Sequence, residues 1–336
     1  MLIQLKDNIT TEHKSQIIDK ISGLKYKTTE VNTQKGNYLV GIGKKDFDIR
    51  DVGHMEGIAD IHIVSDDYKL VSRKWKVKPT VIDLGDGVTI EEGGMALMAG
   101  PCSIESEEQI EKTIAHLVEN NIKIMRGGVY KPRSSPYSFR GLGNEGLKMW
   151  YKATRAAGIK IITEVMQVSQ IEEMYDYVDV YQVGARNTQN FNLLDELGKV
   201  DKAVLIKRGI SGTIEELLSS AEYVFSAGNE NLMLCERGIR TYESASRNTM
   251  DINAIAILKE KSHLPVIADP SHGIGIRDFV EPVALASIMA GADGVIYETH
   301  EKPEEAYSDG QQTLNFDEST ILINKMRKVF ALREEM

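Results

Sequence analysis

From Gly94 to the C-terminus, eight short apolar runs, at residues 95–99, 122–125, 159–163, 178–183, 204–206, 232–235, 265–268 and 294–297, alternate with amphipathic segments of helix length. Runs this short suit buried strands, and strands that alternate with helices build parallel sheets. Eight such units over about 240 residues match the size of a closed barrel. The expected fold class is therefore α/β, a (β/α)8 TIM barrel over residues 95–336. An open doubly wound sheet is the alternative, but no Gly-x-Gly-x-x-Gly turn follows the first run. The segment after Thr213 shows the helical period: Ile214, Leu217, Leu218, Ala221 and Val224 share one face, and Thr213 with Glu216 has the spacing of a capping box.

Residues 1–70 read as strand, helix, strand, strand, helix, strand, at 2–5, 11–22, 26–31, 38–42, 48–55 and 58–64. That order is the split βαβ pattern of a small ferredoxin-like α+β domain. Its charged residues scatter without convergent chemistry, so it is expected to regulate or assemble the protein rather than to catalyse. Residues 71–94 are a linker ending in a hairpin with an Asp86-Gly87 turn, placed to plug one end of the barrel.

The net charge of −10 argues against a nucleic-acid partner, which needs an extended basic face. No apolar run approaches the roughly 20 residues that span a bilayer, and the N-terminus lacks a signal peptide's layout, so no membrane association and a cytoplasmic location are expected. Two cysteines, Cys102 and Cys235, are too few for a disulfide scaffold.

Barrel enzymes keep their chemistry beyond the C-terminal ends of the strands. The residues there are Cys102, Arg126, Glu164, Arg186, Lys207, Arg237, Asp269 with His272, and Glu298. Turns alone would favour Gly, Asn, Asp and Ser, so this set points to catalysis. The densest stretch runs from Arg126 through Gly127 and Gly128 to Lys131-Pro132-Arg133-Ser134. It reads as an anion trap, with two glycines that let backbone approach a ligand and a proline that stiffens the link between two cations. Arg126, Lys131, Arg133, Arg186, Lys207 and Arg237 facing one mouth would repel unless more than one anionic group neutralised them. Gly184-Ala185-Arg186 adds small residues whose backbone N–H groups can face a phosphate. Cys102, His272, Glu298 and Asp309 form a sulfur, nitrogen and oxygen donor set suited to a borderline divalent metal with an open position. Against it stand a small buried hydrophobe for Cys102 and a loop imidazole for His272. Cys235 and His263 need no catalytic role.

Several segments together resemble a known family: Ala99-Gly100-Pro101-Cys102-Ser103, Arg126-Gly127-Gly128, Lys131-Pro132-Arg133-Ser134-Ser135-Pro136, Gln182-Val183-Gly184-Ala185-Arg186-Asn187, Leu205-Ile206-Lys207-Arg208-Gly209, Cys235-Glu236-Arg237-Gly238 and Asp269-Pro270-Ser271-His272. In this order they are similar to the 3-deoxy-D-arabino-heptulosonate 7-phosphate (DAHP) synthases, in the microbial subtype with an N-terminal ferredoxin-like regulatory domain. The resemblance implies a transferase of the shikimate pathway, which leads to chorismate and the aromatic amino acids. Its reaction is a metal-dependent condensation of phosphoenolpyruvate with erythrose 4-phosphate that releases phosphate. It implies metal ligation by Cys102, His272, Glu298 and Asp309, with manganese first and iron, zinc, cobalt or cadmium as alternatives. It places phosphoenolpyruvate against Arg126, Lys131, Glu164, Gly184, Ala185, Arg186, Lys207 and Arg237, and erythrose 4-phosphate against Lys131, Pro132, Arg133 and Ser134. Ser134 stands where many members have threonine; either hydroxyl can donate to a phosphate. Catalytic roles fall to Lys131, Glu164, Cys102 and His272, with the choice of proton donor open between Lys131 and Glu164. A homo-oligomer, a tetramer first, and feedback by tyrosine or phenylalanine are further implications.

Three other functions compete. The 3-deoxy-D-manno-octulosonate 8-phosphate synthases share this chemistry with a five-carbon sugar, but read Lys-Ala-Asn-Arg-Ser-Ser where this chain has Lys131-Pro132-Arg133-Ser134-Ser135. A Schiff-base aldolase would need Lys207 in apolar surroundings rather than beside cations such as Arg208. A metabolite sensor with a silent barrel would have no reason to keep the full donor set.

Overall fold

The computed structural model describes residues 1–43, 47–131, 137 and 139–336. The N-terminal unit comprises β1 (Leu2–Leu5), α1 (Thr11–Gly23), β2 (Lys27–Asn32), β3 (Asn37–Ile42) and β4 (Ile58–His62). Its sheet has the order β2-β3-β1-β4, antiparallel at every pairing, as the strand and helix pattern predicts. The expected second helix over 48–55 is only a 3-10 turn at Ile49–Asp51. Val52, directly after that turn, is buried with Ile3 and Leu39, but Gly53 follows it and disfavours continuing the helix.

Strand alternation splits the side chains of this sheet between two cores. Ile3, Leu5 and Leu39 pack with Ile17 and Ile21 of α1. Leu2, Val31, Tyr38 and Val40, on the opposite face, join the core that continues into the barrel. Tyr38 meets Trp75 edge-on at 5.3 Å between ring centroids and Phe225 at 6.2 Å. The connector between the units is clasped from the barrel side. Glu222 accepts the backbone N–H groups of Lys69, Leu70 and Val71 at 2.9, 2.9 and 3.0 Å. His263 reaches the Leu70 carbonyl with Nε2 and the Thr80 hydroxyl with Nδ1, each at 2.8 Å. Burial pushes the His263 imidazole down to about 3, so it stays neutral, donating through Nε2 and accepting through Nδ1. The expectation that His263 is structural is met.

The hairpin of β5 (Val81–Asp83) and β6 (Thr89–Glu91) lies beneath the barrel. Ile82, Val88 and Ile90 pack among Met98, Ile124, Ile162, Leu205 and Met233 of the barrel interior. Asp86 in its turn pairs with Lys160 at the start of a barrel strand, which fixes the plug at the N-terminal end.

The barrel begins with β7 (Ala96–Gly100), α2 (Glu107–Glu119), β8 (Ile124–Gly127), α3 (Gly143–Ala156), β9 (Lys160–Val165), α4 (Ser169–Met174) and β10 (Val180–Val183). It continues with α5 (Phe191–Leu197), β11 (Ala203–Lys207), α6 (Ile214–Ser226), β12 (Leu232–Glu236), α7 (Ile252–Lys261) and β13 (Val266–Ala268). It ends with α8 (Pro270–Ile274), α9 (Arg277–Met289), β14 (Gly294–Glu298) and α10 (Phe316–Glu335). The eight strands β7 to β14 form a closed parallel barrel, with β14 pairing back onto β7. Each coincides with one of the eight apolar runs to within a residue or two. Helix α6 has the capping box expected of Thr213 and Glu216 and buries Leu217, Leu218, Ala221 and Val224. No helix among the described residues is long and apolar enough to cross a membrane.

Candidate active site

The reactive side chains gather at the C-terminal face, and several are the last residues of their strands rather than the first of the loops. Arg126, Glu164, Lys207 and Glu298 lie within β8, β9, β11 and β14; Arg237 and Asp269 directly follow β12 and β13. In-strand placement ties each side chain to the hydrogen-bonded barrel wall, which fixes its position better than a loop would. Gly100 ends β7 because the chain passes so close to β8 that a Cβ there would sit 2.1 Å from the Arg126 carbonyl oxygen. That approach sets Cys102 beside the ends of β8 and β14.

Cys102, Glu298 and Asp309 bring ligand atoms within 4.8 Å of one another. The Cys102 thiol donates to Asp309 Oδ2 at 3.2 Å. His272 belongs to the same group at slightly longer range, its Nε2 lying 3.6 Å from Glu298 Oε1 while its Nδ1 is held by the Asp269 carboxylate at 2.9 Å. The four expected donors are thus assembled, three tightly and the imidazole at their edge. A carboxylate behind a ligating imidazole is the usual way to aim the other ring nitrogen at a metal. Burial, reinforced by Glu298, pushes the Cys102 thiol up to about 12. Asp309 would be raised by burial, but His272, the Cys102 donor, Arg247 and Lys131 outweigh that and hold it down to about 2. A buried thiol amid carboxylates is costly to ionise unless a cation replaces the missing positive charge, so the donor set fits a divalent metal.

Beside it opens a cleft of about 200 Å³ lined by Arg126, Lys131, Glu164, Gly184, Ala185, Arg186, Lys207 and Arg237, together with Gln182, Ile210, Arg240, Arg247, Asn248, His272 and Asp309. Its cations are of two kinds. Arg126 is buried and paired with Glu298 at 3.1 Å, and Lys207 is buried and paired with Asp269. Burial alone would lower the Arg126 guanidinium, but Glu298, Cys102, Asp269 and Asp309 raise it. Its Nε has no hydrogen-bond partner although buried. Lys131, Arg186, Arg237 and Arg240 make no ion pair with a carboxylate among the described residues. Burial, with Arg247 nearby, holds the Arg237 guanidinium below its usual range despite Asp269. A desolvated cation lacking a counter-charge is prepared for an anion from outside.

Gly184 makes room for Glu164: a Cβ there would lie 1.9 Å from Glu164 Oε1. The glycines after Arg126 also make room within the protein. A Cβ on Gly127 would strike Ile104 at 2.8 Å, and one on Gly128 would strike Lys131 Nζ at 2.8 Å. They admit the protein's own side chains and let Lys131 fold back onto the Cys102 carbonyl at 2.8 Å. Pro132, Arg133 and Ser134 lie outside the described residues. Arg208 faces away, paired with Glu236 and Asp251, so it contributes no anion site. The sequence reading missed Arg240, Arg247 and Asn248. They lie on the long connection between β12 and α7, where no periodicity marks them; the spacing of Arg240 three residues beyond Arg237 was the only signal.

Such a barrel, with unpaired cations and a thiol, imidazole and carboxylate cluster sharing one mouth, is that of an enzyme acting on multiply anionic small molecules. Residues 78–335 match the DAHP synthetase I family, and the chain belongs to that family. It is 42% identical over 330 residues to the phospho-2-dehydro-3-deoxyheptonate aldolase of Thermotoga maritima, spanning 98% of this chain and 97% of that relative. A crystal structure of phospho-2-dehydro-3-deoxyheptonate aldolase (DAHP synthase) from Thermotoga maritima superposes with a TM-score of 0.79 over 99% of this chain and 98% of that one, at 42% identity. The 2-dehydro-3-deoxyphosphooctonate aldolase of Geobacter sp. strain M21 is 29% identical over 267 residues, 73% of this chain and 96% of the relative.

Proposed function

We propose that this enzyme condenses phosphoenolpyruvate with D-erythrose 4-phosphate and water, giving 3-deoxy-D-arabino-heptulosonate 7-phosphate and inorganic phosphate, the first step of the shikimate pathway. The observation that carries this is the group of unpaired cations beside the Cys102, Glu298 and Asp309 cluster with His272 at its edge. Two substrates that bring two phosphates and a carboxylate match that excess of positive charge.

Phosphoenolpyruvate is assigned to Arg126, Lys131, Glu164, Gly184, Ala185, Arg186, Lys207 and Arg237, and the aldose phosphate to Lys131, Pro132, Arg133 and Ser134. In the reaction, C3 of the enol bonds to the aldehyde carbon, and the aldehyde oxygen takes up a proton. Water then adds at C2, loses a proton, and the C2–O bond to phosphate breaks. Arg186, Lys207 and Arg237 hold the phosphate as its charge grows. Asp269 pairs with the Lys207 amino group and aims it, which suits anion binding and not a Schiff base. Lys131, between the two substrates, and Glu164, seated over Gly184, are the groups within reach to move protons. A divalent metal held by Cys102, His272, Glu298 and Asp309, manganese first, would supply Lewis acidity at the aldehyde oxygen.

The same proposal includes a cytoplasmic homo-oligomer, a tetramer first, with residues 1–70 as the site of feedback by tyrosine or phenylalanine. Exhaustive EDTA treatment is expected to abolish phosphate release, and added Mn2+ to restore it. Full turnover in the chelator would remove the metal from the mechanism.

A further inference from the structure

The two carboxylates of the donor cluster are held by a frame that lies outside it. Gln312 is fully buried. Its Nε2 donates to Glu298 Oε2 at 2.7 Å, and its Oε1 accepts from Arg247 Nη1 at 2.7 Å. The same Arg247 nitrogen donates to Asp309 Oδ1 at 3.2 Å. The orientation of the amide is fixed by chemistry, because only its NH2 can face a carboxylate and only its oxygen can face a guanidinium. In each carboxylate one oxygen is thereby occupied and the other is turned inward. Glu298 Oε1 faces Arg126 and His272, and Asp309 Oδ2 faces Cys102.

The backbone makes this arrangement a unit. Asp309 sits at φ 53° and opens the 3-10 turn Gly310–Gln312, so ligand and amide ride on one short loop. The Leu314 N–H then donates to the Glu298 carbonyl at 3.0 Å, stitching the loop to the end of β14. Two carboxylates this close repel each other when no cation lies between them, and loose side chains would splay apart.

We propose that Gln312 is a positioning residue that, with Arg247, holds Glu298 and Asp309 at a fixed spacing and orientation for a divalent cation. The inference rests on the metal assignment above. Asparagine is a methylene too short to bridge both partners, and glutamate would set a third carboxylate against Glu298. Glutamine alone among the polar side chains of this length donates to one partner and accepts from the other.

The test is a titration of metal-free full-length protein with Co2+, followed by the thiolate-to-cobalt charge-transfer absorbance of Cys102. Gln312→Met, which keeps the side chain's length and removes both hydrogen bonds, is expected to weaken Co2+ binding by about 10–100-fold while the charge-transfer band persists. Arg247→Met, which removes the bonds to Asp309 and to the Gln312 oxygen but keeps the one from Gln312 to Glu298, is expected to weaken it less. Binding of phosphoenolpyruvate to the metal-free protein, which depends on cations that Gln312 does not touch, is expected to stay unchanged in Gln312→Met. Equal Co2+ affinity in wild type and Gln312→Met would overturn the proposal. Parallel loss of Co2+ and phosphoenolpyruvate binding would overturn it too, since that is collapse of the site and not positioning. A wild-type protein that gives no charge-transfer band would instead bring down the metal assignment itself.

Discussion

Single residues in this cleft act through what they lack. Arg237 is buried, donates to the carbonyl of Gly238 at 3.0 Å, and has no carboxylate paired with it among the described residues. The division of substrates makes Arg237 and Arg133 separable: Arg237→Ala is expected to raise KM for phosphoenolpyruvate, and Arg133→Ala to raise KM for the aldose phosphate, each by roughly 10–100-fold, the worth of a charge-assisted hydrogen bond. Steady-state kinetics with each substrate varied in turn reads this directly, and equal effects of either variant on both KM values would refute the division. Residue types were legible in the sequence because a thiol, an imidazole and cations at consecutive strand ends have no structural excuse. Their pairing was not. That Arg126 and Lys207 are neutralised by Glu298 and Asp269, while Arg208 turns away, depends on side-chain directions that strand position alone does not set.

At the scale of elements, the strands were readable because each is a short apolar run buried on both faces, the pattern parallel strands require. The loops were not. The connection from β12 to α7 supplies Arg240, Arg247 and Asn248 to the cleft with no period to betray them. The second helix of the N-terminal unit is shorter than expected: Val52 is buried, but Gly53 directly after it ends the helical run. What the sequence hid most completely is the joint between the units. Nothing in the sequence marks Glu222, and His263 shows only that it is structural, yet both clasp the connector. The sheet face that carries Tyr38 packs onto Phe225 of α6, so the N-terminal unit is continuous with the barrel core. If this unit carries feedback control, removal of residues 1–70 is expected to leave turnover intact and abolish inhibition by tyrosine or phenylalanine. Rate measurements across a titration of each amino acid decide it, and a shortened enzyme still inhibited like the full chain would exclude that role.

For the molecule as a whole, closure of the barrel is what turns scattered residues into a site. Cys102 and Asp309 are separated by most of the catalytic chain, and they meet because β14 pairs back onto β7. The hairpin closes the opposite end with Ile82, Val88 and Ile90, leaving the C-terminal mouth as the working face. The chain is also similar to a 2-dehydro-3-deoxyphosphooctonate aldolase, so likeness of the barrel does not by itself fix the acceptor. Choice of aldose is therefore the property on which the proposed function turns, and in that proposal Pro132 and Arg133 are expected to favour the shorter one. The most direct test is phosphate release from phosphoenolpyruvate by the Mn2+-loaded enzyme with either erythrose 4-phosphate or arabinose 5-phosphate as acceptor. Phosphate release with erythrose 4-phosphate and little or none with arabinose 5-phosphate is the expected result; faster release with arabinose 5-phosphate would contradict it.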